Sequence, residues 1–285
     1  MKSKPVHIFR YTILFLLLVT RQLFAQVAIE LNPAAVISNT FGAPFINSGN
    51  DPAGYLSLGA NIFSFDGTIK DISDGKILFV QKKGRLPDWL PASKGNFIAL
   101  SNDTGYIHVF SGSAFDSTIV DLRNLNFVLN IFDRGRQTWV NPAFFLKGLI
   151  DTHAPRINAL LLENDGLEYE FKGSKNAKVN IQQGRYSLLA SITDTSTKSS
   201  SSGVFRIKAV LDGMSVLDNK LDMAPAVNEG ISFLGHPAPS SEVLGRSSRL
   251  KVGELELMRG EHTLEVFAYD FAGNEAIVLW KLKVE

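Results

Sequence analysis

The sequence predicts an all-β protein built from two domains, and three observations carry that reading. Short apolar stretches recur along the chain with turn-forming residues between them, and no long stretch keeps a helical period. The strand pattern also stops and restarts around Pro155, in "IDTHAPRINALLL". A chain of 285 residues has material for two ordinary domains and for a core in each. Hydrophobic residues at 45% and charged residues at 20% exclude a disordered or collagen-like chain, and 29 basic against 28 acidic residues leave no basic surplus for nucleic acid.

Residues 1–25 read as a secretory signal peptide. Lys2, Lys4 and Arg10 precede the apolar run "YTILFLLLVT", which is shorter than the about 20 residues a membrane-spanning helix needs, and Ala25 offers a small residue before a cut. The expected mature chain starts at Gln26, in the periplasm or elsewhere in the cell envelope, with no transmembrane helix after cleavage. Leu23 is larger than the cleavage site prefers, so an uncleaved anchor is the alternative. The chain has no cysteine, which removes both lipid attachment and disulfides and leaves stability to the core.

Residues 26–148 make the first expected domain. Its strands are read in "AVISNTFGAPF", "GANIFSFDGTIKDI", "KILFVQK", "GNFIALSNDTGYIHVFSG" and "LNFVLNIFDRGRQTWV". In "FIALSNDTGYIHVF" two strands flank Asn102, Asp103, Thr104 and Gly105, which tolerate turn geometry, so a β-hairpin is expected there. "FDRGRQTWV" reads as a second hairpin turn centred on Gly135. "RNLNFVLNIF" alternates polar and apolar residues, placing Asn124 and Asn126 on one face of a strand and Leu125 and Phe127 on the other. His108 shares a face with Tyr106 and Phe110, where a structural or surface histidine is the simplest reading.

Residues 151–285 make the second expected domain. Even spacing of "YSLLASITD", "GVFRIKAVLDG" and "LKVGELELMRGEHTLEVFAYDFAGNEAIVLWKLKV" suggests a β-sandwich. The segment Thr193 to Gly203, "TDTSTKSSSSG", has too little apolar material to pack and is read as a surface loop, and "MAPAVNEGISFLGHPAPSSEVLG" as an irregular connection. Near the end, Ala268, Asp270, Gly273 and Asn274 match an A-x-D-x-x-G-N phrase, and this half of the chain resembles bacterial immunoglobulin-like modules. The simplest role for that phrase is a turn, with Asp270 bonding to backbone while Gly273 and Asn274 tolerate positive φ.

General catalytic motifs are absent: the chain has no G-x-S-x-G, no G-x-x-x-x-G-K-[ST] and no G-x-G-x-x-G. Its five histidines, His7, His108, His153, His236 and His262, show no H-x-H or H-x-x-x-H spacing. Trp89, in "LPDWLPASKG", reads as a loop aromatic packed on its own domain, with contact to a sugar or partner as the alternative.

The stretch from Phe41 to Phe145 resembles the lysostaphin-type, or LytM-like, zinc endopeptidases that cut peptide cross-links of peptidoglycan. "FGAPFINSGNDPAGYLSLGANIFSFDGTI" follows the family's opening phrase with Gly49, Asp51, Gly59, Asp66 and Gly67 in step. "GNFIAL", "DTGYIHVF", "NLNFVL" and "VNPAFF" follow its later phrases. The resemblance implies a LytM-like β-sheet core and would put the zinc ligands on Asn47, Asp51 and Asn126, the general base on Asn124, and a further histidine on Gly112. Of these positions only Asp51 keeps the family residue. A neutral amide is a poor zinc donor and cannot take up a proton near neutral pH. Between Phe110 and Asn124 the segment "SGSAFDSTIVDLR" is also shorter than the family's glycine-rich stretch. An oxygen-only calcium site from Asn47, Asp51 and Asn126 would hold a single carboxylate, fewer than hard cations usually take.

These features lead to an expectation of a pseudoenzyme without cofactor or bound metal. Its relic groove, lined by Asn47, Asp51, Gly112, Asn124 and Asn126, would bind peptidoglycan, a cell-wall hydrolase or another envelope protein. The alternatives are a zinc metalloendopeptidase working on peptidoglycan through a rearranged site, and a structural or adhesive envelope protein.

Overall fold

The computed structural model describes residues 29–31, 35–38, 40–45, 55–65, 76–81, 96–101, 103–112, 125–148, 151–172, 178–195, 202–227, 230–231 and 249–285. The protein is all-β. Among the described residues the helical element is a single 3-10 turn, Pro142–Phe145, and no helix is long and apolar enough to cross a membrane. The expected signal segment, residues 1–25, lies outside the described residues.

The first unit is organised around the strand Leu125–Asp133. Phe127, Leu129 and Ile131 point into the core at 3%, 0% and 0% exposure, while Asn126, just before Phe127, is exposed. This strand pairs antiparallel with Tyr106–Gly112 along one edge. Its other edge is shared by Gly59–Phe65 and Thr138–Val140. Asn96–Ser101 and Lys76–Gln81 continue the sheet beyond Tyr106–Gly112. Ile29, Ile37, Ala60, Ile62, Ile98, Leu100 and Phe110 complete the core with the inward residues of the central strand.

Gly59 permits the closest approach in this sheet. It lies opposite Asn130, and a Cβ there would come within 2.5 Å of both Asn130 Nδ2 and Leu129 O. The hairpin read in "FIALSNDTGYIHVF" is present, with Gly105 at φ +88°. The hairpin in "FDRGRQTWV" is present too, but the residue with positive φ is Gln137 at +53°, not Gly135. Asp133 Oδ1 accepts from the N–H groups of Gly135 and Arg136, at 2.9 and 3.1 Å, and closes the turn from its strand end.

The second unit is a β-sandwich. One sheet runs Leu167–Lys172, Arg156–Asn164, Gly184–Thr193, Leu250–Leu257, and the other runs Lys178–Ile181, Glu275–Val284, Gly260–Tyr269, Arg206–Leu211, Met214–Lys220. Trp280, Tyr186, Leu160, Leu162, Leu188, Ile207, Leu264 and Val266 fill the space between the sheets, all at 1% exposure or less. Two tight hairpins use Asp-Gly pairs: Asp165 and Gly166 at φ +32° and +94°, and Asp212 and Gly213 at +52° and +81°. Two consecutive positive φ values match the twist of the flanking strands.

The stretch read as an irregular connection contains a strand instead. Met223–Val227 pairs antiparallel with Thr138–Val140 of the first unit, and Gly230–Ile231 pairs with it in turn. Pro225, opposite Thr138, masks the alternation, because it brings no N–H to the ladder. A chain segment from the second half thus continues the sheet of the first half. Gly203, expected in a surface loop, is buried at the same junction and donates its N–H to Thr40 Oγ1 at 2.5 Å. Asn141 adds two more links, Nδ2 to Leu221 O at 3.1 Å and its own N–H to Asp222 O at 2.8 Å. Phe41, Leu56, Leu221 and Ala224 form a small core of their own across the junction.

Candidate functional site

Two of the five groove residues lie among those described. Asn126 is exposed on the central strand, as the polar–apolar alternation required. Gly112 closes the neighbouring strand, opposite Asn96 and half-buried. Ser111 lies opposite Val128, so both residues sit toward the same end of the sheet. They do not share a face. Gly112 is in step with the inward His108 and Phe110, whereas Asn126 is in step with Val128 and Asn130 on the other side. Asn47, Asp51 and Asn124 lie outside the described residues, as does Trp89.

His108 is fully buried. Its ring sits edge-on to Phe145 and Phe110 at centroid distances of 5.8 and 6.5 Å, inside the core rather than on the face that carries Asn126. Tyr106 packs edge-on against the same Phe145 at 5.0 Å. The histidine is therefore a structural aromatic in a phenylalanine cluster. His262 is engaged elsewhere, with Nδ1 at 2.6 Å from Asp212 Oδ2 and Nε2 at 2.7 Å from Met258 O.

A chemically denser cluster lies at the pole of the sandwich nearest the first unit. Asp151 precedes the first sandwich strand, Asp194 follows Gly184–Thr193, and Asp270 opens the turn after Gly260–Tyr269. Each offers a carboxylate oxygen, and these oxygens lie within 4.8 Å of one another. Asp194 and Asp270 are both 4% exposed. Asp270 has the capping role its motif suggested: Oδ1 accepts the Asn274 backbone N–H at 2.8 Å, Oδ2 accepts Asn274 Nδ2 at 2.6 Å, and Gly273 takes φ +93°. The amide of Asn274 also reaches Asp151 O at 3.1 Å. Asp151 Oδ1 accepts the His153 N–H at 3.0 Å.

Asp194 is the anomalous member. Its Oδ1 is buried without a hydrogen-bond partner among the described residues. Burial first, and then the neighbouring charges of Asp270 and Asp151, push its carboxyl up to about 7. Sequence reading singled out Asp270 but not the cluster. Its members are dozens of residues apart, and no spacing rule joins them.

A family profile for a domain of unknown function matches residues 154–285, which is nearly the whole sandwich. A search of curated proteins finds no match. Among solved structures, the chain is similar to the fibronectin(III)-like modules of CbhA from Clostridium thermocellum, at 11% identity and a TM-score of 0.23, over 46% of this chain and 96% of that one. It is also similar to the extracellular domain of a putative one-component system from B. thetaiotaomicron, at 9% identity and a TM-score of 0.23, over 85% of this chain and 31% of that one. A second structure, described as the extracellular domain of a putative hybrid two-component system from the same organism, gives 9% identity, a TM-score of 0.22 and coverage of 80% and 29%. The chain thus matches under a third of the length of either B. thetaiotaomicron protein. The assignment of the second unit as a sandwich rests on its strand pairing.

Proposed function

We propose that this protein is exported and works without catalysis in the cell envelope, binding peptidoglycan or regulating a separate cell-wall hydrolase. The observation that carries this reading is the placement of Asn126 and Gly112. The resemblance to LytM-like peptidases asks for two imidazoles at these positions, cooperating on one site. The chain has an amide on one face of the sheet and a glycine in step with the other. An amide neither ligates zinc well nor takes up a proton near neutral pH. It does keep both donor and acceptor capacity, and an exposed amide on a rigid strand suits hydrogen bonding to a glycan, a peptide or a partner loop.

The test is cosedimentation of the mature protein with purified sacculi, followed by capture from envelope lysate. Wild-type protein is expected to bind one of the two targets, and Asn126→Ala to bind it more weakly at unchanged melting temperature. Binding to neither target would reject this reading. It would favour a structural envelope protein, a role that the strand pairing between the two units also suits.

A further inference from the structure

We propose that Asp151, Asp194 and Asp270 form a calcium site that ties the segment leading into the sandwich to the sandwich pole. Three carboxylates in a row along a surface would carry no such meaning. Here two of the three are buried, one oxygen of Asp194, in a side chain only 4% exposed, has no donor to satisfy it among the described residues, and each of the three residues brings a carboxylate oxygen within 4.8 Å of the others. Among the described residues neither Asp194 nor Asp270 has a basic side chain paired to it. A buried carboxylate oxygen left without a donor is destabilising, because it has given up its water and gained nothing in exchange. Bringing three carboxylates together adds mutual repulsion whenever they are charged. A cation at their centre removes both penalties.

The donor set selects the ion. It contains oxygen only, which disfavours zinc, whose protein sites rely on imidazole and thiolate. Calcium binds oxygens at about 2.3–2.6 Å, so two of its ligands can stand about 5 Å apart across the ion. The carboxylate oxygens, within 4.8 Å of one another, fit that span. Magnesium gives up its waters reluctantly and is seldom held by an all-protein set of oxygens, so a partly buried carboxylate cluster suits calcium better. Two of the carboxylates are also held in place by hydrogen bonds. Asn274 fixes both oxygens of Asp270 and binds the carbonyl of Asp151, and the His153 N–H fixes Asp151 Oδ1. Such outer bonds orient ligands around a metal.

The location gives the site a consequence. Phe271, next to Asp270, packs edge-on against Phe144 of the first unit and against Phe205, each at 5.2 Å. Bound calcium would therefore brace the pole on which the first unit rests.

The experiment uses the full mature chain, stripped with chelator and melted in rising CaCl2, with MgCl2 in parallel and terbium luminescence as a direct binding readout. The expected result is one terbium site per chain, displaced by calcium, and a melting temperature that rises with calcium and much less with magnesium. At a hundred times the dissociation constant the folding equilibrium should shift about 100-fold. Asp194→Asn should abolish the calcium response while leaving the stripped protein at least as stable as wild type, since one of three repelling charges is gone. Asp151→Asn, at the more accessible member, should weaken the response and provides the test if the buried variant does not fold. Extracellular calcium modules bind at about 10⁻⁴–10⁻³ M. No shift and no terbium signal up to about ten times that range would overturn the proposal. So would an equal response to magnesium, or a calcium response that survives in both variants.

Discussion

Trp139 lies directly across from Ala224 in an antiparallel pair, so a strand from the second half of the chain extends the sheet of the first. Ala224 is fully buried, in a small cluster with Phe41, Leu56 and Leu221. The main sandwich core is drawn wholly from residues of the second half. Ala224→Asp puts an unpaired charge into the junction without touching that core, at a cost of about 3 kcal/mol or more. Calorimetry is expected to show the junction failing first, as a separate low-temperature transition. Hydrogen exchange should speed up at Met223–Val227 and Thr138–Val140 while the sandwich strands stay protected. A fragment of residues 151–285 should keep the same protected core and lose protection at Met223–Val227.

Gly59 offers a sharper steric test. Its φ is not left-handed, so backbone strain does not explain it; close approach does. An added Cβ meets Asn130 Nδ2 and Leu129 O at 2.5 Å, and the latter is backbone in the middle of a sheet that cannot easily retreat. Gly59→Ala is expected to cost about 1–3 kcal/mol by the overpacking mechanism, read from the denaturant midpoint at unchanged slope.

Local patterns in this sequence were legible where their causes were local. Alternation in "RNLNFVLNIF" placed Asn126 outward and Phe127 inward, and the turn residues before Tyr106 placed a hairpin, because a strand's face and a turn's backbone are set within a few residues. Pairing of Met223–Val227 with Thr138–Val140 was not legible. Pro225 interrupts its pattern, and the partner strand lies far away in the chain. In the turn centred on Gly135 the positive φ falls on Gln137, since the hydrogen bonds that the Gly135 and Arg136 N–H groups donate to Asp133 fix where in the turn the left-handed residue falls. The meeting of Asp151, Asp194 and Asp270 depends on the closed sandwich bringing three strand ends to one pole. Only one of the three belonged to a recognisable phrase.

Zinc chemistry is expected to be absent. Protein purified without an affinity tag should hold far less than one zinc per chain by elemental analysis, and should not clear sacculi when zinc is added. The proposed calcium site makes melting in chelator a poor assay for zinc, so the metal itself must be counted. One zinc per chain with zinc-dependent clearing would reverse the reading and favour a rearranged peptidase.

His262 and Asp212 give the sandwich an acid-side stability component whose sign follows from their partners. The hydrogen bond to Asp212, joined by that to Met258 O, raises the histidine above its ordinary value near 6.5. Burial pushes Asp212 up, but the bonds from His262 and from the Thr263 N–H, at 2.8 Å, outweigh it and hold its carboxyl below the usual range. A group whose folded pKa is raised stabilises fully below its unfolded pKa and loses that contribution as pH rises through the folded value. A group whose folded pKa is lowered stabilises above its unfolded pKa and loses the contribution as pH falls through the folded value. The pair is therefore at full strength between about pH 4 and about pH 6.5. Above the folded pKa of His262 a neutral imidazole keeps one N–H and can donate to only one of its two acceptors. His262→Gln should lower the denaturant midpoint more at about pH 5 than at about pH 9, because the wild type has already lost part of the pair at the higher value. Equal effects at both pH values would mean that the contact acts through packing and not through the charge on the ring.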